Sequence, residues 1–198
     1  MYPSAHLASG LIVVAILTVF NLISPAIAFF ILLGAIIPDF DFILSRWAPD
    51  NNHRKLVTHT FALWLGFIAI DFFLFHTGFI FWISFAAIIH LLLDIFDWGI
   101  MIKFPFSRSL NKHLLDEKSI DFSSNNFIII QCNFLREYFT NRYIISIEIL
   151  LGVLSCLAVL LFFNTLALYF LIYLIIIVGE LTAFSKGCKR RLTNFNPH

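Results

Sequence analysis

The run GFIFWISFAAIIHLLLDIFDW, residues 78–98, decides the class of this protein. Twenty-one residues make about 30 Å of α-helix, the thickness of a bilayer's hydrocarbon core. Its only ionisable side chains, His90, Asp94 and Asp97, all lie in its second half. Five more apolar stretches surround it: Leu7–Ile23, Pro25–Ile37, Val57–Phe75, Tyr143–Phe163 and Thr165–Phe184. The stretch Pro25–Ile37 is short, about 20 Å as helix, and Pro38 closes it. It needs thinned lipid, or it is a re-entrant helix shielded by its neighbours. The expectation is an all-α polytopic membrane protein, a single membrane domain over residues 1–198, with about six membrane helices.

Composition agrees. Sixty per cent of the 198 residues are hydrophobic, 25 are Phe, and 13% are charged, against about 25% in soluble domains. A fold of this size could not bury so much apolar surface in water. The net charge of +1 leaves no basic stripe for phosphates, which excludes a nucleic-acid partner. The scattered, odd set Cys132, Cys156 and Cys188 reads as free thiols. No charged n-region precedes Leu7, so the first stretch reads as a retained span rather than a cleaved signal.

Charge then sets the topology. Asn21–Ser24, His76–Thr77 and Asn164 are tight connections without Lys or Arg. Arg46, Arg54 and Lys55 fall in one loop, six more basic residues between Lys103 and Arg142, and four in the tail from Lys186 to Arg191. All thirteen lie on one side, so the positive-inside rule puts both termini and both long loops in the cytoplasm. The plan is three helical hairpins, the last covering residues 143–185. Trp47 and Trp98 mark a cytoplasmic aromatic belt and Trp82 the outer one. Within the long loop, Phe127, Ile130, Phe134 and Tyr138 recur at helical spacing. Asn126–Phe139 therefore predicts an amphipathic helix, lying on the cytoplasmic membrane surface or packed on the bundle.

The same side collects metal-ligand chemistry. His90 and Asp94 stand at i and i+4, one face of a helix, and can grip one ion from a rigid element. The structural alternative is a His–Asp hydrogen bond stapling two helices. Pro38-Asp39-Phe40-Asp41 presents two carboxylates at a helix C-terminus, where negative charge is disfavoured unless a cation compensates. One Asp can coordinate while the other coordinates or bridges a second ion. His53 and His59 flank Arg54 and Lys55. Thr58 reads as the N-cap of the third span, placing a helix N-terminus beside Arg54 to receive an anionic phosphate. His6 precedes the first span. His6, Asp39, Asp41, His53, His59, His90 and Asp94 thus come from the same end of four successive segments. Mixed His and Asp ligands without Cys suit one to three divalent ions, zinc first and manganese second. Asp71 and His76 lie toward the outer side, Asp71 as a packing or pore-side group. Asp97, Glu148 and Glu180 read as capping or ligand-orienting groups. His113 and His198 read as solvated.

These motifs occur in order: His6-Leu-Ala-Ser-Gly10, Pro38-Asp-Phe-Asp41, His53-Arg-x-x-x-Thr-His59-Thr60 and His90-x-x-x-Asp94. Gly99, Phe104-Pro-Phe-Ser107 and Ile120-Asp121 follow. The set resembles the YdjM-like family of prokaryotic inner-membrane proteins, described as metal-dependent hydrolases, and covers about residues 1–122. Lys55 and Thr60 stand where members usually carry Gly and Ser; neither change removes a ligand. The family is more remotely similar to zinc-dependent phospholipases C. That resemblance implies an inner-membrane location, His90 and Asp94 as ligands, and Asp39 or Asp41 as a bridging group.

The expected activity is hydrolysis of a lipid-like phosphoester at the bilayer surface. Asp39 and Arg54 are the catalytic residues, Arg54 holding the substrate anion with Lys55 secondary. A phosphoester is preferred because no GxSxG-type nucleophile occurs. The rival readings are a divalent-metal or proton-coupled transporter, whose site would lie at the midplane, and a metal-stabilised scaffold.

Overall fold

The computed structural model describes residues 2–49, 52–97, 99–102, 114 and 127–182. Among these residues the secondary structure is helical, with seven α-helices. α1 (Pro3–Val19) is the central post. Its proline sits in the first turn, where a missing N–H is harmless. Leu7, Ala8, Leu11, Val14 and Ala15 make a buried stripe, packed against α2, α6 and α7. Asn21, at φ 53°, turns the chain, a left-handed position that Asn tolerates. α2 (Pro25–Ile36) follows, with Ser24 accepting from the Ile27 N–H at its N-cap.

Beyond Ile36 the chain does not leave the helical path. It tightens into a 3-10 helix over Ile37–Trp47, with Pro38 in its first turn. Pro38 ends only the α pattern. Residues Pro25–Ser45 therefore form 21 helical residues, long enough to cross a bilayer. The segment expected to be short is extended by a change of helix type.

The loop after Trp47 holds two single 3-10 turns, His53–Lys55 and Val57–His59. α3 (Phe61–Ile70) starts later than the sequence suggests. Thr60, not Thr58, occupies its N-cap position, and the Thr58 hydroxyl is spent on Asp41. α3 widens into a π turn at Asp71–Phe75. Asp71 is buried at the turn. Its carboxylate accepts from Thr77 N, Thr77 Oγ1 and Gly78 N, closing the hairpin around His76 at φ 53°. α4 (Phe79–Asp97) is the decisive run. It packs most closely on α2, where Gly34 abuts the backbone of Ile83. Small residues at such crossings let membrane helices approach without a hydrophobic driving force.

α5 (Phe127–Thr140) is the expected amphipathic helix, and it packs on the bundle. Cys132, Leu135 and Tyr138 are its buried residues; of the predicted stripe only Tyr138 has a described side chain. Cys132 is disulfide-bonded, which corrects the expectation of free thiols. Cys156 is free and exposed, as expected. Asn141 caps α6 (Arg142–Leu161) by accepting from Tyr143 N and Ile144 N. The break before α7 (Phe163–Thr182) falls at Phe162, not Asn164. Pro25–Ser45, Phe79–Asp97 and Arg142–Leu161 are long and apolar enough to span a bilayer; Pro3–Val19, Phe61–Phe75 and Leu166–Thr182 are shorter apolar helices. Trp47 is exposed at the end of its segment, and Trp98 lies outside the described residues.

Candidate metal centre

Six of the seven predicted ligands, all but Asp41, fall into two adjoining groups. His6 comes from the first turns of α1 and Asp39 from the 3-10 helix after Pro38. His59 precedes α3, and His90 and Asp94 share a face of α4. The Nε2 atoms face the carboxylates. His6 Nε2 lies 3.2 Å from Asp94 Oδ1 and 3.8 Å from Asp39 Oδ2. His90 Nε2 lies 3.2 Å from Asp94 Oδ2 and 3.5 Å from Asp39 Oδ1. His59 Nε2 is 3.6 Å from both Asp39 Oδ1 and Asp94 Oδ2. The side chains of His6, His59, His90 and Asp94 are fully buried, and Asp39 is 16% exposed.

The His90 and His59 imidazoles are oriented from behind. His90 Nδ1 is 2.8 Å from the Ala35 carbonyl, which can only accept, so Nδ1 carries a proton and Nε2 is turned toward the carboxylates. Pro38 explains why that carbonyl is open. In a 3-10 turn Ala35 would bond the N–H three residues on, and proline has none. His59 Nδ1 lies 3.0 Å from Asp41 Oδ2, an arrangement that fixes a ligating histidine through a carboxylate. Asp41 stands behind His59: its Oδ2 is engaged by His59 Nδ1 and the Thr58 hydroxyl, while its Oδ1 is buried without a hydrogen-bond partner. Ser9 bonds the His6 carbonyl at 2.7 Å. His6 stacks on His90, ring centroids 3.6 Å apart.

The Nε2 atoms of His6, His59 and His90 are buried and have no hydrogen-bond partner. Such orphaned atoms are costly unless something fills the space between them. Two groups have ligand atoms close enough to share an ion, His6 with Asp39, His90 and Asp94, and Asp39 with His53 and His59. Asp39 belongs to both. The donor set fits divalent ions bridged by one carboxylate. His53 is the outermost member, 28% exposed and 4.0 Å from Asp39 Oδ1. Burial first, then His59 and Arg54, push its pKa down to about 4, leaving it neutral at pH 7.

Charge reinforces this. Of the four aspartates, Asp94 and Asp97 meet the Arg54 guanidinium, and Asp39 and Asp41 meet His59. Carboxylates gathered at membrane depth are expensive without cations beside them. Arg54 is 3% exposed, with Nη1 2.7 Å from Asp94 Oδ1 and 3.1 Å from Asp97 Oδ1. Sequence reasoning assigns it to a substrate anion; here it is the counter-ion of two buried carboxylates. Asp97 is the partner that such reasoning misses. Its i+3 spacing from Asp94 is the available signal. Glu148 and Glu180 bond Tyr138 and Ser4 instead of any candidate ligand. The motif residues Phe104–Ser107 and Asp121, and the histidines His113 and His198, lie outside the described residues.

The chain belongs to the YdjM inner membrane protein family, which it matches over residues 1–180. No curated protein and no solved structure matches it.

Proposed function

We propose that this membrane protein is a metal-dependent hydrolase of phosphoesters carried by lipid-like substrates, working at the cytoplasmic face. The observation that supports this is the convergence of three orphaned Nε2 atoms on two carboxylates, one of them shared by both groups. His6, Asp39, His90 and Asp94 would hold one ion, and Asp39, His53 and His59 a second, zinc or manganese. A divalent ion supplies a water with a pKa near 7 and polarises the phosphoryl oxygen. The remaining work falls to the chain. Asp39 and His53, the candidate ligands open to solvent, would form the face at which substrate and water enter. Arg54 keeps Asp94 ionised and adds the positive charge that an anionic ester needs. Both termini and the long loops are cytoplasmic in this reading, as the thirteen basic residues require. Ligands gathered at one end of the bundle disfavour a midplane transport site.

The test is metal analysis of protein in nanodiscs, followed by a phospholipid-hydrolysis screen with added zinc or manganese. Expected are one to three bound ions, lost in His90→Ala and Asp94→Ala together with thermal stability. Turnover should vanish in Asp39→Ala. Full occupancy in both ligand variants would refute the centre. A loaded protein that cleaves no phosphoester would refute the hydrolase.

A further inference from the structure

A second site opens away from the metal centre. A cavity of about 520 Å³ lies among the start of α1, α5, α6 and α7. Pockets of a few hundred cubic ångströms are the size that encloses a small ligand. Its two ends differ. At one end stand Glu148 and Glu180, with Ser4, Tyr2 and Tyr138 around them. The rest is apolar, running down α6 past Ile149, Val153 and Leu157. Leu157 is nine residues beyond Glu148, about 13 Å along the helix. The acidic end is level with the metal centre, since Ser4 lies half a turn from His6. The apolar end runs along the outer face of α6, where Ile149, Val153 and Leu157 are exposed.

Both carboxylates are held but not used up. Glu180 accepts from Ser4 Oγ at 2.7 Å and Ser4 N at 3.2 Å. Glu148 accepts from the Tyr138 hydroxyl, and the Tyr2 N–H donates to that same hydroxyl oxygen at 3.2 Å. A carboxylate has about four acceptor positions, so each keeps capacity for a ligand. Among the described residues no Lys or Arg side chain pairs with either. Ionisable groups inside apolar helices are expensive and face a partner or a pathway. The Tyr2 and Tyr138 rings, 4.7 Å apart, offer aromatic surface that attracts cations. Gly152 keeps the apolar end open: a Cβ there would come within 3.1 Å of the Tyr173 hydroxyl.

We infer that this cavity binds an amphiphile with an ammonium head, drawn from the bilayer. The head sits between Glu148 and Glu180, and the acyl tail fills the groove along α6. An anionic head would meet two carboxylates, and a neutral one would leave both uncompensated. The site is independent of the hydrolytic reading, because it shares no residue with the candidate ligands.

The probe is dodecylamine, titrated into the full chain in maltoside micelles and read by thermal melting. Dodecanol and dodecyl sulfate are the controls. The amine should raise the melting temperature saturably, and the controls should not. Glu148→Gln with Glu180→Gln keeps the size of both side chains and one acceptor oxygen on each but removes the charge, and should weaken amine binding tenfold or more. Gly152→Leu leaves both acids in place, blocks the tail, and should also abolish the shift. Nanodiscs of phosphatidylethanolamine against phosphatidylglycerol then separate a membrane lipid from a free amine. In the lipid case only the first should compete with dodecylamine; in the free-amine case neither should. Equal shifts with amine and alcohol would overturn the proposal. So would an unchanged affinity in the double Gln variant, or in Gly152→Leu if the Gln variant does not fold.

Discussion

Gly34→Ala is the sharpest test of how the centre is built. A Cβ on Gly34 would stand 2.2 Å from the Ile83 carbonyl oxygen, 2.8 Å from its Cα and 2.9 Å from its carbonyl carbon. Ordinary contact begins near 3.4 Å, so α2 and α4 must part by about 1.2 Å at that point. The obstacle is backbone, so no rotamer change relieves it. Overpacking of this kind costs about 1–3 kcal/mol. The chemical effect is larger than that figure implies. Asp39 hangs from the end of α2, and His90 and Asp94 lie on α4 two to three turns beyond the contact. Metal–ligand distances tolerate about 0.2 Å, so a shift several times larger takes Asp39 out of reach. Gly34→Ala should therefore fold with a lowered melting temperature and lose at least tenfold in metal affinity, measured by chelator competition in nanodiscs. Gly66→Ala is the matched control, because nothing lies within 4 Å of that position. A Gly34→Ala protein that binds metal as tightly as the parent would refute the claim that this crossing sets the ligand geometry. A lower melting temperature would not rescue it.

Four further outcomes follow from named contacts. Pro38→Ala restores an N–H that competes for the Ala35 carbonyl, so His90 should lose its fixed tautomer and metal affinity should fall by about tenfold or more; nitrogen NMR of the imidazole reads this directly. Arg54→Ala strands Asp94 and Asp97 in the interior and should destabilise the apoprotein by about 3–5 kcal/mol; unchanged melting would return Arg54 to a purely substrate-facing role. Asp41→Asn should spare the fold and weaken metal binding about 10–100-fold through His59, as isothermal titration would show. Asp71→Ala should cost about 1 kcal/mol by uncapping the outer turn and leave metal occupancy unchanged by elemental analysis.

The helical membrane class was legible because it depends on length and polarity alone. GFIFWISFAAIIHLLLDIFDW admits one reading in a bilayer, and His90 and Asp94 share a face whatever surrounds them. The identity of the clustered residues was also legible, since topology brings segment ends together. What sequence could not reveal is which atoms turn inward. Asp39 and Asp41 are two residues apart on a strip whose helix type changes at Pro38. Only the 3-10 winding shows that one reaches the ligands and the other stands behind His59. The surroundings of Arg54 were hidden for a related reason. A cation between two histidines looks free for substrate until the fold lays Asp94 and Asp97 against it. The α3 start failed on competition: the Thr58 hydroxyl had a better acceptor in Asp41 than in a helix N-terminus.

Asp39 belongs to both groups of ligand atoms, and that sharing makes them thermodynamically inseparable. Whatever filling one group does to the affinity of the other, the effect must be equal in the reverse direction. Two opposed contributions set its sign. An ion in the first group holds the carboxylate ready for the second, while the two like charges repel across it. With ions in both groups, a metal titration would report macroscopic constants that belong to the pair. A change at His53, on the open side, would then be read in the occupancy of the group around His6 and His90. The exposed half of such a centre would adjust the buried half.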